Sequence, residues 1–279
     1  MFMIENTVTL VATDLDGTLL NNKKEVSEIN KKAIRDLKQN GIFFGIASGR
    51  PVETILKTIE DWGMSKDIGF VMGMNGGAIY DYRLQSKEEY YLLDGEIVIE
   101  IMDFFKGYDV KFWILIGDDR YVNVSTEQTR AHARLYKENE IECDLYEFVK
   151  NRKINKLILN FDPDYQKVVE QRAREYKNDK CTGFFTAQNL FEFVDPHINK
   201  GFGIEKLCEH FGTSKEHVVS FGDDLNDCEM LMASGCGVAM KNARNRLKKV
   251  ADYVSEYTNE ENAIAHFIYD YILKEDQNV

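Results

Sequence analysis

The chain has 279 residues, which is enough for one large domain or for two modest domains that each bury a core. Hydrophobic residues make up 44% of the sequence and charged residues 29%, as in ordinary globular proteins, and no apolar run approaches the ~20 residues that span a bilayer. The formal net charge is -12, and no segment is rich in Lys and Arg. Nucleic acids and anionic membranes are therefore poor candidates as partners, whereas a small anion needs only local positive charge.

The N-terminal half of the predicted core alternates strands with helices. Buried strands are predicted at 8–12, 42–47 and 70–72, and helices from Ser27 or Asn30 to Lys38 and from Pro51 to about Trp62. The C-terminal part repeats this pattern, with helices at 203–211 and 227–233 around a strand at 218–221. Short apolar strands that alternate with helices indicate a doubly wound parallel sheet of the Rossmann-like class, covered on both faces.

The middle of the chain has a different pattern. It predicts an α+β region with a mostly antiparallel sheet and helices on one side of it. The predicted helices are 94–105, 126–138 and 164–177, and the predicted strands are 110–116, 121–125, 156–161, 181–186 and 191–194. Gly117-Asp118-Asp119 is a suitable hairpin turn between the first two strands. We therefore predict a core domain formed by residues 1–82 and 195–279, with residues 83–194 inserted as a second domain.

Two carboxylates come directly after the first predicted strand, in the segment VTLVATDLDGTLLNN from Val8 to Asn22. Asp14 and Asp16 lie where Gly17 permits a sharp turn, and two close carboxylates repel one another. The pair is compatible with a metal site, with a nucleophile beside its acid/base partner, or with a loop that has no chemical role.

Three more segments favour chemistry over a plain loop. Ser48-Gly49-Arg50 offers a hydroxyl, an open backbone N–H and a cation, all suited to phosphate oxygens. Lys200 precedes a helix in DPHINKGFG, and FGDDLNDCEML brings Asp223 and two further aspartates after a strand. Such oxygen ligands suit Mg²⁺. Because ligands of parallel sheets gather at the carboxyl ends of the strands, we expect these groups at one edge, as in a phosphoryl-transfer site.

The segments DLDGTLL, SGR, an isolated lysine and GDDLND, in that order, resemble the four motifs of the haloacid dehalogenase-like phosphatases. MNGGAIYD from Met74 and GVAMKNA from Gly237 are similar to the Cof-type subfamily in particular. The resemblance covers nearly the whole chain and is strongest outside the inserted region. It implies that residues 83–194 form the α/β cap domain of that subfamily, which opens and closes to admit substrate.

The resemblance also implies roles for the aspartates. Asp14 would attack phosphorus and form an aspartyl-phosphate, and Asp16 would act as general acid and then as general base. Mg²⁺ would be bound by the Asp14 carboxylate, the backbone carbonyl of Asp16 and Asp223. The resemblance further implies a phosphate-binding group comprising the Leu15 backbone, Ser48, Gly49, Lys200 and Asn226.

Four residues are expected to support the site: Thr18, Arg50, Asn75 and Asp227. Thr18 would orient the first turn, and Asp227 would be a partner of Lys200 or of the metal site. Arg50 has an alternative role in bridging surface carboxylates, and Gly76-Gly77 beside Asn75 would serve equally to close a turn. Asp224 is interpreted as a turn residue or a weak metal contact, and His197 as structural.

The sequence therefore predicts a Mg²⁺-dependent phosphatase of small phosphorylated metabolites, in particular sugar phosphates. A phosphomutase and a non-catalytic phosphate-ester-binding protein are the alternatives. The five cysteines are scattered without a CxxC pair, and the first residues, MFMIENTV, lack the basic start and apolar stretch of a signal peptide. We accordingly expect reduced thiols and a cytoplasmic location; oligomeric state is not indicated by the sequence.

Overall fold

The computed structural model describes residue 4 and residues 6–273. The chain divides into two compact units, one formed by the residues up to Glu88 with those from Asn199 on, the other by Glu89–Ile198. The predicted domain limits at 82 and 194 lie slightly N-terminal to these divisions at 88 and 198. Of the N-terminal segment MFMIENTV, residues 1–3 and 5 lie outside the described residues.

The first part of the chain forms five strands and two helices. They are β1 (Leu10–Thr13), α1 (Glu28–Gln39), β2 (Phe43–Ala47), α2 (Val52–Asp61), β3 (Phe70–Gly73), β4 (Ala78–Asp81) and β5 (Ser86–Glu89). The Ser27 hydroxyl accepts a hydrogen bond from the backbone N–H of Asn30, so Ser27 is the N-cap of α1. The predicted strands and helices of this part are confirmed to within about two residues, a normal margin for element ends.

The second unit contains eight strands and four helices. They are β6 (Leu93–Asp94), α3 (Gly95–Phe104), β7 (Lys111–Ile116), β8 (Asp119–Val122), α4 (Glu127–Leu135), β9 (Asn139–Glu142), α5 (Leu145–Val149), β10 (Lys153–Ile154), β11 (Leu157–Asn160), α6 (Gln166–Glu175), β12 (Thr182–Ala187) and β13 (Leu190–Val194). Its main sheet has the order β12-β13-β11-β7-β8-β9, antiparallel except for the pair β8 and β9.

Several predictions for this unit were wrong in detail. The hairpin strand begins at Asp119, because Ile116 pairs with Asp119 and the turn contains only Gly117 and Asp118. The helix predicted to reach 138 ends at Leu135, and the chain then enters β9, which pairs with β8. The short helix α5 and the strand β9 were not predicted.

The helices of the second unit do not all lie on one side of its sheet, contrary to expectation. Side chains of α3, α5 and α6 pack with alternate strand residues such as Phe112 and Ile114 in one core. Trp113, which alternates with them, lies instead against His132 of α4, with ring centroids 5.2 Å apart. Helix α4 therefore covers the opposite face, where the Thr129 carbonyl and Nδ1 of His132 accept hydrogen bonds from the buried Arg120.

The chain returns to the first unit at Asn199. It forms α7 (Lys200–Phe211), β14 (Val218–Gly222), α8 (Cys228–Ala233), β15 (Cys236–Ala239), α9 (Asn245–Lys248), β16 (Tyr253–Val254) and α10 (Ala263–Phe267). The sheet of this unit has the order β16-β15-β14-β1-β2-β3-β4-β5. Pairing is parallel from β16 to β3, as predicted, whereas β4 runs antiparallel to β3 after the turn at Met74 to Gly77.

Strand β1 lies in the centre of this sheet, parallel to β14 on one side and to β2 on the other. All four of its residues are buried, which explains the apolar and β-branched sequence LVAT. Because the three strands are parallel neighbours, the residues after their carboxyl ends meet at one edge. Within the described ranges, no helix is both long and apolar enough to cross a membrane.

Candidate active site

The two predicted aspartate segments come after neighbouring strands. The backbone N–H of Asp14 donates to the carbonyl of Phe221 at 3.0 Å, which continues the pairing of β1 and β14 beyond the end of β1. Asp223 comes directly after β14, and the Thr18 hydroxyl donates to its Oδ1 at 2.9 Å. Thr18 thus connects the turn after β1 with the turn after β14.

Gly17 permits this approach. Its φ of +86° lies in the left-handed region, and a Cβ built on it would lie 2.4 Å from Oδ2 of Asp223. A side chain at this position is excluded both by backbone conformation and by the carboxylate, so the glycine that suggested a sharp turn is also required by the packing.

Lys200 is the first residue of α7 and is completely buried. Its Nζ lies 2.6 Å from Oδ1 of Asp14 and 2.5 Å from Oδ1 of Asp227. Burial alone would lower the pKa of this ammonium, but the charges of the two carboxylates outweigh it and raise the pKa above its ordinary value. The lysine is therefore charged and fixed between two aspartates.

Negative charge exceeds positive charge around this lysine. Burial raises the pKa of Asp14 to about 8; Lys200 opposes the shift, and Asp227 and Asp223 add to it. Burial and the nearby Asp227 likewise raise the pKa of Asp223 to about 7, against the hydrogen bond from Thr18. Carboxylates in this condition favour a cation beside them.

The donor set fits a hard divalent cation. One oxygen from each of Asp14, Asp223 and Asp227 lies within 4.8 Å of the others. Asp227 is already engaged, because its Oδ1 accepts from Lys200 and its Oδ2 accepts from the backbone N–H groups of Asp223 and Asp224 at 3.0 and 3.1 Å. Asp14 and Asp223 are therefore the side chains better placed to bind Mg²⁺, and Asp227 orients Lys200 and the turn after β14.

A second group of predicted residues lies after β2. Ser48 is buried, its carbonyl accepts from the N–H of Asn75 at 3.0 Å, and its hydroxyl accepts from the N–H of Arg50 at 3.3 Å. The Asn226 amide donates to Oδ1 of Asn75 at 3.4 Å. A Cβ on Gly49 would lie 3.1 Å from the same oxygen. The structure thus brings Ser48, Gly49, Asn75 and Asn226 together.

Leu15 lies between the two aspartates, and its side chain is fully buried in the core. Only its backbone is available to a ligand at this edge. Its carbonyl accepts from the N–H of Leu20 at 2.9 Å, which closes the turn that contains Asp16.

Both carboxylate oxygens of Asp16 are paired. Lys24 Nζ lies 2.6 Å from Oδ1 and an Arg50 nitrogen lies 2.5 Å from Oδ2. Burial alone would raise the pKa of Asp16, but the charge of Arg50 and the hydrogen bond and charge of Lys24 hold it below its ordinary value. Arg50 therefore contacts a predicted site residue. No signal in the sequence indicates that Lys24, rather than its neighbour Lys23, does so.

Asp224 and His197 each have partners of their own. Asp224 caps a short turn and lies 3.2 Å from Arg244. His197 lies 2.7 Å from Asp195, is stacked on Tyr91 and is largely exposed. A contact that was not predicted comes from GVAMKNA, where the Asn242 amide donates to the carbonyl of Gly17 at 2.8 Å.

Comparisons with known proteins identify the family of the chain. Residues 11–268 match the haloacid dehalogenase-like hydrolase family, and the chain belongs to that family. Within it the protein is a Cof-type phosphatase, a hydrolase, as the resemblance of its motifs predicted.

Curated relatives cover almost the full chain. Two are 5-amino-6-(5-phospho-D-ribitylamino)uracil phosphatases of Bacillus subtilis (strain 168). YcsE is 29% identical over 95% of this chain and 96% of its own length. YitU is 28% identical over 94% of this chain and 97% of its own length.

A solved structure is also similar to this chain over almost its full length. The crystal structure of a haloacid dehalogenase-like hydrolase from Bacteroides thetaiotaomicron is 28% identical and superimposes with a TM-score of 0.84, over 94% of this chain and 98% of that one. This similarity confirms the predicted fold class, a parallel α/β core with an additional α+β region.

Proposed function

We propose that this phosphatase hydrolyses small phosphate monoesters, in particular sugar phosphates, in a Mg²⁺-dependent reaction through an aspartyl-phosphate. The observation that carries the proposal is the fully buried Lys200 between Asp14 and Asp227, beside Asp223. Burying three carboxylates with one ammonium is unfavourable for folding stability. The cluster suits a site in which the carboxylates bind a divalent cation and the ammonium binds a phosphate.

Asp14 is the proposed nucleophile. Its Oδ1 is fixed by Lys200, and its backbone is fixed by the pairing with β14, so the second carboxylate oxygen is held in one place for attack on phosphorus. When bound at Asp14, Asp223 and the backbone carbonyl of Asp16, Mg²⁺ would supply positive charge that offsets the repulsion between this carboxylate and the phosphate.

Asp16 is the proposed acid and base. It delivers a proton to the leaving oxygen as the ester bond breaks, and then accepts a proton from the water that attacks the aspartyl-phosphate. The Ser48 hydroxyl, the backbone of Gly49 and Leu15, the Lys200 ammonium and the Asn226 amide are the proposed phosphate ligands, all of them donors suited to phosphate oxygens. Thr18, Asn75 and Asp227 position these groups through the contacts described above.

The substrate class rests on the relatives. Two of them are named for a phosphate ester of a ribitylamino compound, which is a small polyol phosphate. We propose a sugar or polyol phosphate for this chain, acted on in the cytoplasm, where its five free thiols would stay reduced. We further propose that residues 1–82 and 195–279 form the catalytic domain and residues 83–194 a cap domain.

The test is phosphate release from hexose phosphates, pentose phosphates, nucleotides, a phosphopeptide and a DNA 3′-phosphate, each with Mg²⁺ and with EDTA. We expect turnover only with Mg²⁺, and a higher kcat/KM for the best sugar phosphate than for either macromolecular substrate. A phosphopeptide or DNA end that exceeds every small ester tenfold would overturn the substrate class. Isomerisation stimulated by a bisphosphate, without phosphate release, would identify a phosphomutase, and binding without turnover would identify a non-catalytic protein.

A further inference from the structure

The loop after the first motif has an unusual backbone. In the turn Asn21–Glu25, the Asn21 side chain accepts from the N–H groups of Lys23 and Glu25, each at 2.9 Å. The N–H of Lys24 donates to the Asn21 carbonyl at 2.9 Å, and the N–H of Asn21 donates to the Glu25 carbonyl at 3.0 Å. Within this turn Lys24 has φ +62°, a left-handed conformation that is unfavourable for a residue with a side chain.

The turn directs Lys24 back to Asp16. Its Nζ lies 2.6 Å from Oδ1 of that carboxylate, and its side chain is 61% exposed. An ion pair this exposed contributes little to folding stability, so stability does not explain why an unfavourable backbone conformation is used to form it. A backbone outlier beside a candidate acid/base residue points instead to a role in the reaction.

The arrangement fits one form of Asp16. Lys24 is paired with Oδ1 and the less exposed Arg50 with Oδ2, so each oxygen of the carboxyl group has a cation from a different loop. Donors on both oxygens are the surroundings of a carboxylate, whereas a protonated carboxyl group must direct its own O–H at an acceptor. Asp16 is a carboxylate after it has given its proton to the leaving group, and it is then ready to accept one from water.

We propose that Lys24 is a positioning residue that holds the Asp16 carboxylate for hydrolysis of the aspartyl-phosphate. This inference rests on the proposed function. In the step concerned, water oxygen bonds to phosphorus, its proton passes to Asp16, and the bond from phosphorus to the Asp14 oxygen breaks. The electron pair of that bond returns to Asp14, and inorganic phosphate leaves.

The test separates the two half-reactions with p-nitrophenyl phosphate and Mg²⁺ in a rapid-mixing experiment. In Lys24→Met we expect steady-state turnover to fall about tenfold, a fraction of what a positioned base contributes. Formation of the aspartyl-phosphate should change little, so a burst of p-nitrophenol approaching one equivalent per enzyme should precede the slow phase. Acid-quenched Lys24→Met should retain more covalent phosphate than the wild type.

Three variants control the interpretation. Lys23→Met removes the adjacent lysine and should behave as the wild type. Lys24→Gly suits the left-handed conformation, so it should keep or raise the melting temperature while showing the same burst as Lys24→Met. Lys24→Arg should restore most of the steady-state rate.

Each contrary result is distinguishable. If the wild-type enzyme forms no covalent phosphate, the proposed mechanism is wrong, and the role of Lys24 that rests on it is wrong as well. An active wild type with unchanged kinetics in both Lys24→Met and Lys24→Gly would overturn the role of Lys24 alone. A loss in Lys24→Met that Lys24→Gly does not share would show that the turn, and not the ammonium, is responsible, and would also overturn it.

Discussion

Both units of the molecule bury acidic and basic side chains, but the ratio of acidic to basic groups differs between the two clusters. In the first unit, Lys200 faces Asp14 and Asp227, with Asp223 close by, and burial with mutual repulsion raises the pKa of Asp14 to about 8. In the second unit, the buried Arg120 faces Glu138, with Nε donating to Oε2 at 2.6 Å. A buried pair of opposite charges can serve packing alone. A buried cluster with more acidic than basic groups is instead suited to binding a ligand of opposite charge.

The difference shows that burial of charge does not by itself mark an active site. Arg120 also lies over the Trp113 ring at 4.1 Å and donates to Nδ1 of His132 at 3.0 Å, so its charge is surrounded by partners of its own unit. In the first unit, by contrast, Lys200 has three carboxylates around it, those of Asp14, Asp223 and Asp227. We expect substitutions at the two clusters to affect different quantities: activity in the first, stability in the second.

The largest effect is expected at the nucleophile. Asp14→Asn keeps the shape of the side chain and removes the negative charge of the proposed nucleophile, so hydrolysis of p-nitrophenyl phosphate should fall about 10⁴-fold while the protein stays folded. Turnover and thermal melting are measured together, with Asp36→Asn on α1 as a surface control. Activity within tenfold of the wild type would exclude covalent catalysis by Asp14.

Glu138→Ala tests the balanced cluster. It leaves Arg120 buried without its carboxylate, and the free energy of unfolding should fall by about 3–5 kcal/mol. Urea unfolding measures the loss. The double variant Arg120→Met/Glu138→Met should recover most of it, since both charges are then absent; a single variant as stable as the wild type would contradict a paired role for Glu138.

Lys200→Met tests the unbalanced cluster. We propose that this ammonium interacts with bound phosphate in ground and transition states, so its loss should raise KM and lower kcat, with kcat/KM down about 10²-fold. Lys206→Met on the same helix, where Lys206 pairs with Glu209 at the surface, is the matched control. If kcat and KM both stay within twofold of the wild type, Lys200 has no part in phosphate binding.

The smallest effect concerns pH and the second unit. Burial, with the nearby charge of Arg120, lowers the pKa of His132 from 6.5 to about 4. Asp109, Lys111 and Asp162 line the same cleft of about 340 Å³ as this histidine. Between pH 6.5 and pH 4, His132 binds a proton in the unfolded chain but not in the folded chain. Protonation of His132 therefore favours the unfolded chain, and the free energy of unfolding decreases as pH falls from 6.5 towards 4.

His132→Gln removes the group that titrates in this range. Its free energy of unfolding should therefore decline less steeply than that of the wild type between pH 6.5 and pH 4, by urea unfolding at fixed ionic strength. Parallel declines would show that His132 titrates normally in the folded protein.

The fold and the strand ends were predictable because their signals are local. Apolar runs predicted the core strands, and parallel strands bring the residues after their carboxyl ends to one edge, so Asp14, Ser48 and Asp223 could be expected together. The pair of Arg120 and Glu138 was not predicted, because Glu138 is compatible with a longer α4 and no nearby residue indicates that the chain turns back to β8. The sequence offers no reason to choose Lys24 over the adjacent Lys23 as the partner of Asp16, and only the left-handed backbone of Lys24 in this turn distinguishes the two.

The separation of Asp14 and Lys200 by 186 residues has a consequence for synthesis. At 5–20 residues per second, a ribosome needs roughly 10 to 40 s to travel from the aspartate codon to the lysine codon. During that interval the nascent chain has β1 but not its neighbour β14, and the open strand edge is a template for wrong pairing. Lys200, Asp223 and Asp227 are all synthesised afterwards, so a polypeptide released early would lack three of the four charged residues of this cluster.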